Sequence, residues 1–394
     1  MANKYRRVYA DNNATTPVHP EVQKAIIEAL PIFGNASSLH QYGREASHKI
    51  ESARQKIAGF LGASPEEIVF TGCGTESNNT VLNSIFCGCQ RCGKQQKHPH
   101  VITSKIEHPS VLTTLKCLER RGVEVSYINV DKYGMVDPHE VQKEIRDNTS
   151  LISIMYANNE IGTIQPLKEI SEIAHARNIL MHTDAVQAVG KVPFKLADID
   201  VDFLSLSGHK VYAPKGIGVL YVRKGINFCP LIYGGHHEGN RRAGTENSLG
   251  IIALGKAFEM LEKEMPAELV RMKILRQKLK DGIEKLIPEI SFNGHPLDVQ
   301  PGTLNVSIDY IEGEAILLHL DLEGIAVSTG SACASGSLDP SHVMQALGIP
   351  IEKVHSSIRF SLGRENTPED IDYILEKLPP IVEKLRKMSP LYKR

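Results

Sequence analysis

Short apolar runs alternate with helix-like segments over the first half of the chain. The runs cover residues 67–71, 101–104, 125–130, 151–156, 180–183, 203–207 and 218–222. Between them lie segments such as 166–177, in which Leu167, Ile170 and Ala174 fall on one face of a helix. Strands separated by helices predict an α/β fold with a mostly parallel sheet that helices cover on both faces. Gly216 and Gly218 flank the start of the last run, which we expect at an antiparallel edge of this sheet.

Near Ile251 the alternation ends. A long helical segment follows, in which Phe258 and Leu261 lie on one face, and we expect Pro266 to interrupt it. Three strand-like runs come next, at residues 303–308, 326–328 and 357–362. A final helix is predicted from Thr367, which suits an N-cap and is followed by a proline. These elements predict a smaller α+β domain after the large α/β domain.

Length and composition limit the class of protein. The 394 residues are enough for two domains, and 41% apolar and 23% charged residues are ordinary for a soluble globular enzyme. The net charge of −1 gives no reason to expect nucleic acid or an anionic membrane as a partner. No apolar stretch approaches the roughly 20 residues of a membrane span. Seven irregularly spaced cysteines do not predict a disulfide framework, so we expect a cytoplasmic protein.

Two polar motifs follow predicted strands, where open α/β sheets bind ligands. In TGCGTESNN, residues 71–79, Gly74 allows close approach and Thr75 lies beside the first amides of a helix, which suits a phosphate. A helix N-cap without a ligand explains this motif at least as well. In HTDAVQ, residues 182–187, a buried Asp184 needs a cationic partner such as a protonated pyridine nitrogen. Alternatively, Asp184 caps the following helix.

A lysine follows a third strand, in SLSGHKVYAPKG at residues 205–216. Lys210 lies among small residues beside Ser207 and His209, and burial there would lower its pKa and favour a Schiff base. A surface lysine is the simpler alternative. A phosphate cradle, an acid and a lysine after separate strands together favour pyridoxal phosphate, because this cofactor needs all three.

The sequence resembles the NifS/IscS-type cysteine desulfurases, which are class V aminotransferase-like enzymes of pyridoxal-phosphate fold type I. The resemblance runs nearly end to end and rests on DNNATTP at 11–17, GNASSLH at 34–40, TESNN at 75–79, EHPSV at 107–111, ANNEIG at 157–162, HTDAVQ at 182–187, SLSGHK at 205–210, RAGTEN at 242–247, STGSACASG at 328–336 and IRFSLGR at 358–364. It implies an aspartate aminotransferase-like fold, with a mostly parallel seven-stranded sheet in a large domain at 15–255. Residues 1–14 and 256–394 would form a smaller α+β domain with a mobile loop around Cys333.

The resemblance also implies which residues hold the cofactor. Lys210 would form the Schiff base, Asp184 would pair with the pyridinium nitrogen, and Gln187 would contact the ring hydroxyl. His108 would stack on the ring and move protons, which makes it catalytic together with Lys210 and Cys333. The residues implied for the phosphate are Gly74, Thr75, Ser207 and His209, with Thr245 from the neighbouring subunit of a homodimer.

The substrate implied by the resemblance is L-cysteine. Its carboxylate would be held by Asn35, Asn158 and Arg359, and Asn158 would also contact the cofactor. Cysteine would become L-alanine while its sulfur passes to Cys333 as a persulfide. The persulfide would then pass to acceptor proteins of iron–sulfur cluster assembly or of other thiolation reactions.

Three other functions stay open on the sequence alone. A selenocysteine lyase or a class V aminotransferase shares the fold, but an aminotransferase needs no cysteine at position 333. The chain could also act mainly as a sulfur-delivery scaffold whose activity depends on partner proteins. The sequence names neither the sulfur acceptor nor the preference between cysteine and selenocysteine.

One segment departs from the family pattern. Cys87, Cys89 and Cys92 lie close together and are followed by His98 and His100. One CxxC pair, a further cysteine and either histidine could supply the four ligands of a structural zinc site. A polar surface loop with incidental thiols is the simpler interpretation, and we expect no bound metal.

Overall fold

The computed structural model describes residues 6–85, 98–329 and 340–392. The helices are α1 (Pro20–Ala29), α2 (Gln41–Leu61), α3 (Gly74–Ser84), α4 (Pro109–Glu119), α5 (Pro138–Lys143), α6 (Leu167–His175), α7 (Leu196–Ile199), α8 (Ser248–Leu286), α9 (Gly313–Leu322), α10 (His342–Ala346), α11 (Ile351–Val354) and α12 (Pro368–Met388). The strands are β1 (Val8–Tyr9), β2 (Ile68–Thr71), β3 (His100–Ser104), β4 (Glu124–Ile128), β5 (Thr149–Ser153), β6 (Leu180–Asp184), β7 (Phe203–Ser207), β8 (Gly218–Val222), β9 (Ile290–Asn293), β10 (Thr303–Ile308), β11 (Ile325–Ala326) and β12 (Ser357–Ser361).

The largest sheet has seven strands in the order β2-β8-β7-β6-β5-β3-β4. β8 runs antiparallel to both of its neighbours, and the other pairs are parallel. Each apolar run of the first half of the sequence forms one of these strands, so the predicted α/β class is confirmed. The expectation of an edge strand is wrong for β8. It lies between β2 and β7, is hydrogen-bonded along both edges, and is buried along its whole length.

Side chains of the inner parallel strands, such as β3 and β7, are buried on both faces of the sheet. Successive residues of a strand point to opposite faces and therefore belong to different core clusters. One cluster contains Ile102, Ile152 and Leu204, and the other contains Val101, Leu151 and Phe203. This double burial explains why the strands appear in the sequence as continuous apolar runs.

The second half of the chain builds a separate sheet with its own core. β10 lies between β9 and β12 in an antiparallel sheet, and β1 pairs with β11 in parallel. The core of this part includes Leu279 and Ile283 of α8 together with Phe360 of β12. The predicted domain boundary at residue 255 falls within α8, and the division into two domains stays a prediction.

α8 is continuous from Ser248 to Leu286, so the expected interruption at Pro266 is wrong. An internal proline removes one helical hydrogen bond and costs about 3 kcal/mol. Packing at both ends offsets this cost, because Leu254 and Phe258 belong to the core of the large sheet and Leu279 to the core of the smaller one. The final helix starts as predicted, with the Thr367 side chain accepting from the backbone amide three residues later.

Two further observations bear on the predicted class of protein. Within the described ranges, no helix combines the length and apolarity that crossing a bilayer requires. Cys73 and Cys117 are free thiols, whereas Cys229 is disulfide-bonded. The irregular spacing of the cysteines did not predict this bond.

Candidate active site

The loops after β2, β3, β5, β6 and β7 meet around a cavity of about 300 Å³. They lie at the C-terminal ends of parallel strands, where an open α/β sheet is expected to bind ligands. The N-terminal segment at residues 13–14 and strand β12 complete the wall. The predicted site residues that line the cavity are Gly74, Thr75, His108, Asp184, Gln187, Ser207, His209, Lys210 and Arg359.

Lys210 ends a short helical turn that directly follows β7. Its Nζ donates to the backbone carbonyl of Ala14 at 2.7 Å and to that of Asn13. The amine is thus held at the cavity wall by the N-terminal segment. This is the position at which the sequence predicts a Schiff-base lysine.

Asp184 is the last residue of β6 and is 5% exposed. Its Oδ2 accepts from Nδ2 of Asn78 at 2.6 Å, and its Oδ1 accepts from the N–H of Val186 at 3.0 Å. The second contact is a local turn, and the described residues directly after β6 form no helix for Asp184 to cap, whereas the first contact joins β6 to α3. Neither donor carries a charge, so a protonated ring nitrogen in the cavity would supply the cation that a buried carboxylate favours.

His108 is the N-cap of α4, and its Nδ1 accepts from the N–H of Ser110 at 3.1 Å. The proton of the neutral ring therefore lies on Nε2. Burial lowers the pKa of His108; the negative charge of Asp184 opposes this shift, and the positive charge of Lys210 adds to it. The ring is thus neutral at pH 7 and has a proton to donate at Nε2.

The N-terminus of α3 meets the cavity at Gly74 and Thr75. The N-cap, Cys73, makes no side-chain hydrogen bond to the helix, so a ligand rather than a side chain would satisfy the first amides. A Cβ at Gly74 would lie 2.6 Å from Cγ2 of Val186, so glycine is required for this close approach. The amides and the Thr75 hydroxyl are donors that suit a phosphate.

Ser207 and His209 line the same cavity from the turn after β7. Burial lowers the pKa of His209 to about 4, and the nearby Lys210 contributes to this shift. His209 is therefore a neutral hydrogen-bonding group at pH 7. Its Nδ1 lies 3.2 Å from Oγ1 of Thr15, which ties the turn to the N-terminal segment.

Arg359 reaches the cavity from β12, in the smaller sheet. It is 2% exposed, and its Nη1 donates to the carbonyl of Asn159 at 2.8 Å. Its Nε is buried without a hydrogen-bond partner. An unused donor on a buried guanidinium fits a site that a carboxylate ligand completes.

Three predicted residues do not line the cavity. Asn158 is fully buried and uses both ends of its side-chain amide for backbone contacts in nearby loops. The next residue, Asn159, lines the cavity instead. Asn35 and Thr245 are exposed on the surface of the chain.

Several cavity residues received no role from the sequence. Asn13 and Ala14 receive hydrogen bonds from Lys210, and Asn78 donates one to Asp184. Ser110 donates to His108 through its backbone amide. These residues belong to the motifs DNNATTP, TESNN and EHPSV. Their membership of motifs that also contain predicted site residues or precede them could have indicated a place in the cavity wall.

The predicted nucleophile Cys333 lies outside the described residues, as do Cys87, Cys89 and Cys92. Within 6–85, 98–329 and 340–392, no three His, Cys, Asp or Glu side chains form a group that could hold a metal ion. His100 is buried in β3, where its two ring nitrogens bond to the hydroxyls of Thr149 and Ser126. His100 is therefore engaged within the fold.

Known proteins match this chain over nearly its whole length. The family model for aminotransferase class-V matches residues 8–374, a range that includes every residue lining the cavity. The chain is 51% identical to the cysteine desulfurase IscS of Methanosarcina thermophila, over 99% of this chain and 96% of that protein. It is 50% identical to the cysteine desulfurase IscS of Dictyoglomus turgidum, over 98% and 97%. A solved structure of a NifS-like protein superposes with a TM-score of 0.89 at 39% identity, covering 96% of this chain and 100% of that one.

Proposed function

The chain belongs to the aminotransferase class-V family and is a cysteine desulfurase, and we propose that Lys210 holds its pyridoxal phosphate in the cavity at the ends of β6 and β7. The observation that supports this most is the convergence of three groups on one cavity. They are the amine of Lys210, the buried carboxylate of Asp184 and the start of α3 at Gly74.

The residues present fit this cofactor. The aldehyde of the cofactor would bond to the Lys210 amine, and its ring nitrogen would pair with Asp184. Its phosphate would bind the amides of α3 and the hydroxyls of Thr75 and Ser207. When bound, pyridoxal phosphate supplies an electron sink for the bonds at the substrate's Cα. We assign His108 to the ring face, because the loop after β3 brings it to the same cavity.

The side chains of the cavity supply the acid–base chemistry and the substrate contacts in this proposal. The amine of Lys210 acts as the base that takes the Cα proton, since a base must lie within hydrogen-bond reach of the proton it removes. The ring of His108 is neutral and carries its proton on Nε2, from which it can act as a hydrogen-bond or proton donor. The guanidinium of Arg359 binds the substrate carboxylate through parallel hydrogen bonds.

We assign the sulfur step to Cys333 from the sequence. Its thiolate attacks the sulfur of the substrate, so an S–S bond forms while the Cβ–S bond breaks. The electron pair of the broken bond stays with carbon, which takes up a proton and leaves as alanine. The products are alanine and a Cys333 persulfide, and the balance needs no external oxidant or reductant.

We also propose a homodimer and a sulfur acceptor. Thr245 is exposed and lies outside the cavity of its own chain, which is consistent with a contact to the phosphate site of a second copy. The persulfide would pass to acceptor proteins of iron–sulfur cluster assembly or of other thiolation reactions.

An assay of the purified protein alone tests this function. With pyridoxal phosphate, L-cysteine and a thiol reductant, we expect alanine and sulfide in equal amounts without any partner protein. Alanine formation only after a partner is added would favour the scaffold alternative. Alanine from L-selenocysteine but not from L-cysteine would favour a selenocysteine lyase.

A further inference from the structure

Lys191 lies directly behind the cavity and contacts two residues that line it. Its Nζ donates to Oε1 of Gln187 at 2.7 Å and to Oδ1 of Asn13 at 2.9 Å. Both amide residues are buried. Neither the sequence motifs nor the family comparison assigned a role to Lys191.

The Nζ of Lys191 has at least two N–H donors in either protonation state, and the two atoms that face it are amide oxygens. Lys191 thus contributes to the orientation of both amides, together with the backbone carbonyls of Asn13 and Asn159, which accept from Gln187 and Asn13 respectively. Gln187 turns its Nε2 to the backbone carbonyl of Asn13 at 2.8 Å, and Asn13 turns its Nδ2 to Oγ1 of Thr303 at 2.9 Å. The same carbonyl of Asn13 accepts from Lys210. Lys191 thus contacts the side-chain amides of two residues that line the cavity together with Lys210.

Burying the amine of Lys191 costs free energy. Burial lowers the pKa of Lys191 well below its ordinary value, and the positive charges of Lys210 and Arg359 add to this shift, while Asp11 opposes it. An apolar side chain of similar length would avoid the cost of removing an amine from water. The bonds to Gln187 and Asn13 are what such a replacement would lose.

We propose that Lys191 is a positioning residue of the cofactor site, which holds Oε1 of Gln187 so that the amide presents its second Nε2 proton to the cavity. Nε2 carries two protons, and the carbonyl of Asn13 takes one of them. The other is then a donor for the ring hydroxyl of pyridoxal phosphate, a role that rests on the proposed function. Without Lys191, only the carbonyl of Asn13 holds the amide in this orientation, so the amide would present its second Nε2 proton to the ring hydroxyl less often.

Binding of two cofactors to the apoenzyme separates this role from a structural one. Pyridoxal phosphate and 3-deoxypyridoxal 5′-phosphate, which lacks the ring hydroxyl, are titrated against wild type, Lys191→Met, Gln187→Met and the double variant. Loss of one hydrogen bond should weaken pyridoxal phosphate binding by about tenfold in Lys191→Met. Binding of the 3-deoxy compound should change by less than about twofold. The double variant should bind no more weakly than Gln187→Met, because Lys191 acts through Gln187.

Two further variants complete the experiment. Lys195→Met removes a nearby lysine whose Nζ donates to the carbonyl of Phe60, and it should leave both affinities unchanged. Lys191→Leu, which has a shorter side chain and also lacks a donor, should show the same selective loss if Lys191→Met does not fold. Equal weakening of both cofactors, or additive losses in the double variant, would overturn the positioning role. A wild-type enzyme that does not bind pyridoxal phosphate through Lys210 would instead contradict the proposed function.

Discussion

Nη2 of Arg359 lies 2.7 Å from Oδ1 of Asp11, so the arginine proposed to bind the substrate already pairs with a carboxylate of its own chain. The pair joins β12 of the smaller sheet to the N-terminal segment that supports Lys210. Asp11 compensates the charge of a guanidinium that is 2% exposed. A substrate carboxylate therefore meets a cation that is held in a fixed orientation and still has Nε unused.

Replacement of this arginine should weaken substrate binding more than the chemical step. A charge-assisted hydrogen bond contributes about 1.5–3 kcal/mol, so Arg359→Gln should raise KM for L-cysteine by roughly 100-fold. We expect kcat to change much less. Steady-state kinetics check this, with Arg364→Gln as a control, because Arg364 lies in the same motif but not in the cavity wall. An unchanged KM in Arg359→Gln would remove Arg359 from the substrate site.

The close approach at Gly74 predicts a rescue experiment. Gly74→Ala places a methyl group 2.6 Å from Cγ2 of Val186, so Val186 or the start of α3 must shift in the cavity wall. We expect the affinity for pyridoxal phosphate to fall about tenfold through lost phosphate contacts. Val186→Ala removes the obstructing methyl groups, so the double variant should recover most of the affinity in an absorbance titration. A double variant as weak as Gly74→Ala would show that the clash is not the cause.

The buried carboxyl of Glu107 predicts how stability changes with pH. Burial raises the pKa of Glu107 from 4.5 to about 8, so the folded protein keeps its proton where the unfolded chain releases it. The folded state thus binds more protons between these values, and the contribution of this group to stability falls as pH rises from about 4.5 to 8. Glu107→Gln stays neutral and avoids this loss.

The measurement is the difference in Tm between Glu107→Gln and wild type as apoenzymes, across the pH range of that titration. The difference should shift in favour of the variant as pH rises. Glu169→Gln, which makes the same substitution at an exposed position of α6, is the matched control. A difference that is constant with pH would contradict the raised pKa of Glu107.

Cys333 should act only after the substrate has bound at the cofactor. Cys333→Ser should bind pyridoxal phosphate and L-cysteine but form no persulfide on the enzyme, which mass spectrometry of the intact protein detects. Cys117→Ser, which removes an exposed free thiol, serves as the control and should keep full persulfide formation. Undiminished alanine release by Cys333→Ser would indicate a lyase that needs no cysteine nucleophile.

The inner strands of the large sheet could be predicted because burial on both faces makes them apolar runs. The position of β8 could not, since its pairing with β2 and β7 depends on contacts distant in sequence. Its local start at Gly216 and Gly218 fits an edge strand equally well. In α8, packing at both ends of the helix outweighs the tendency of Pro266 to interrupt it. The local sequence does not reveal this packing.

Much of the cavity wall was also predicted, because its residues lie in motifs at strand ends. The sequence predicted Asn158 rather than Asn159 as a cavity residue. The two are adjacent asparagines, and only the folded turn determines which of them is buried away from the cavity. Lys191 was missed because its contact with Asn13 spans 178 residues and follows no motif spacing. Side chains that support a site through other residues become evident only in the folded structure.

Mapping the covalent attachment of the cofactor tests the central claim most directly. Enzyme loaded with pyridoxal phosphate is reduced with borohydride, digested and analysed by peptide mass spectrometry. We predict one adduct per chain, on Lys210, which Lys210→Ala loses and which Lys215→Ala, at an exposed position of the same loop, retains. An adduct on any other lysine, or one that persists in Lys210→Ala, would contradict the account.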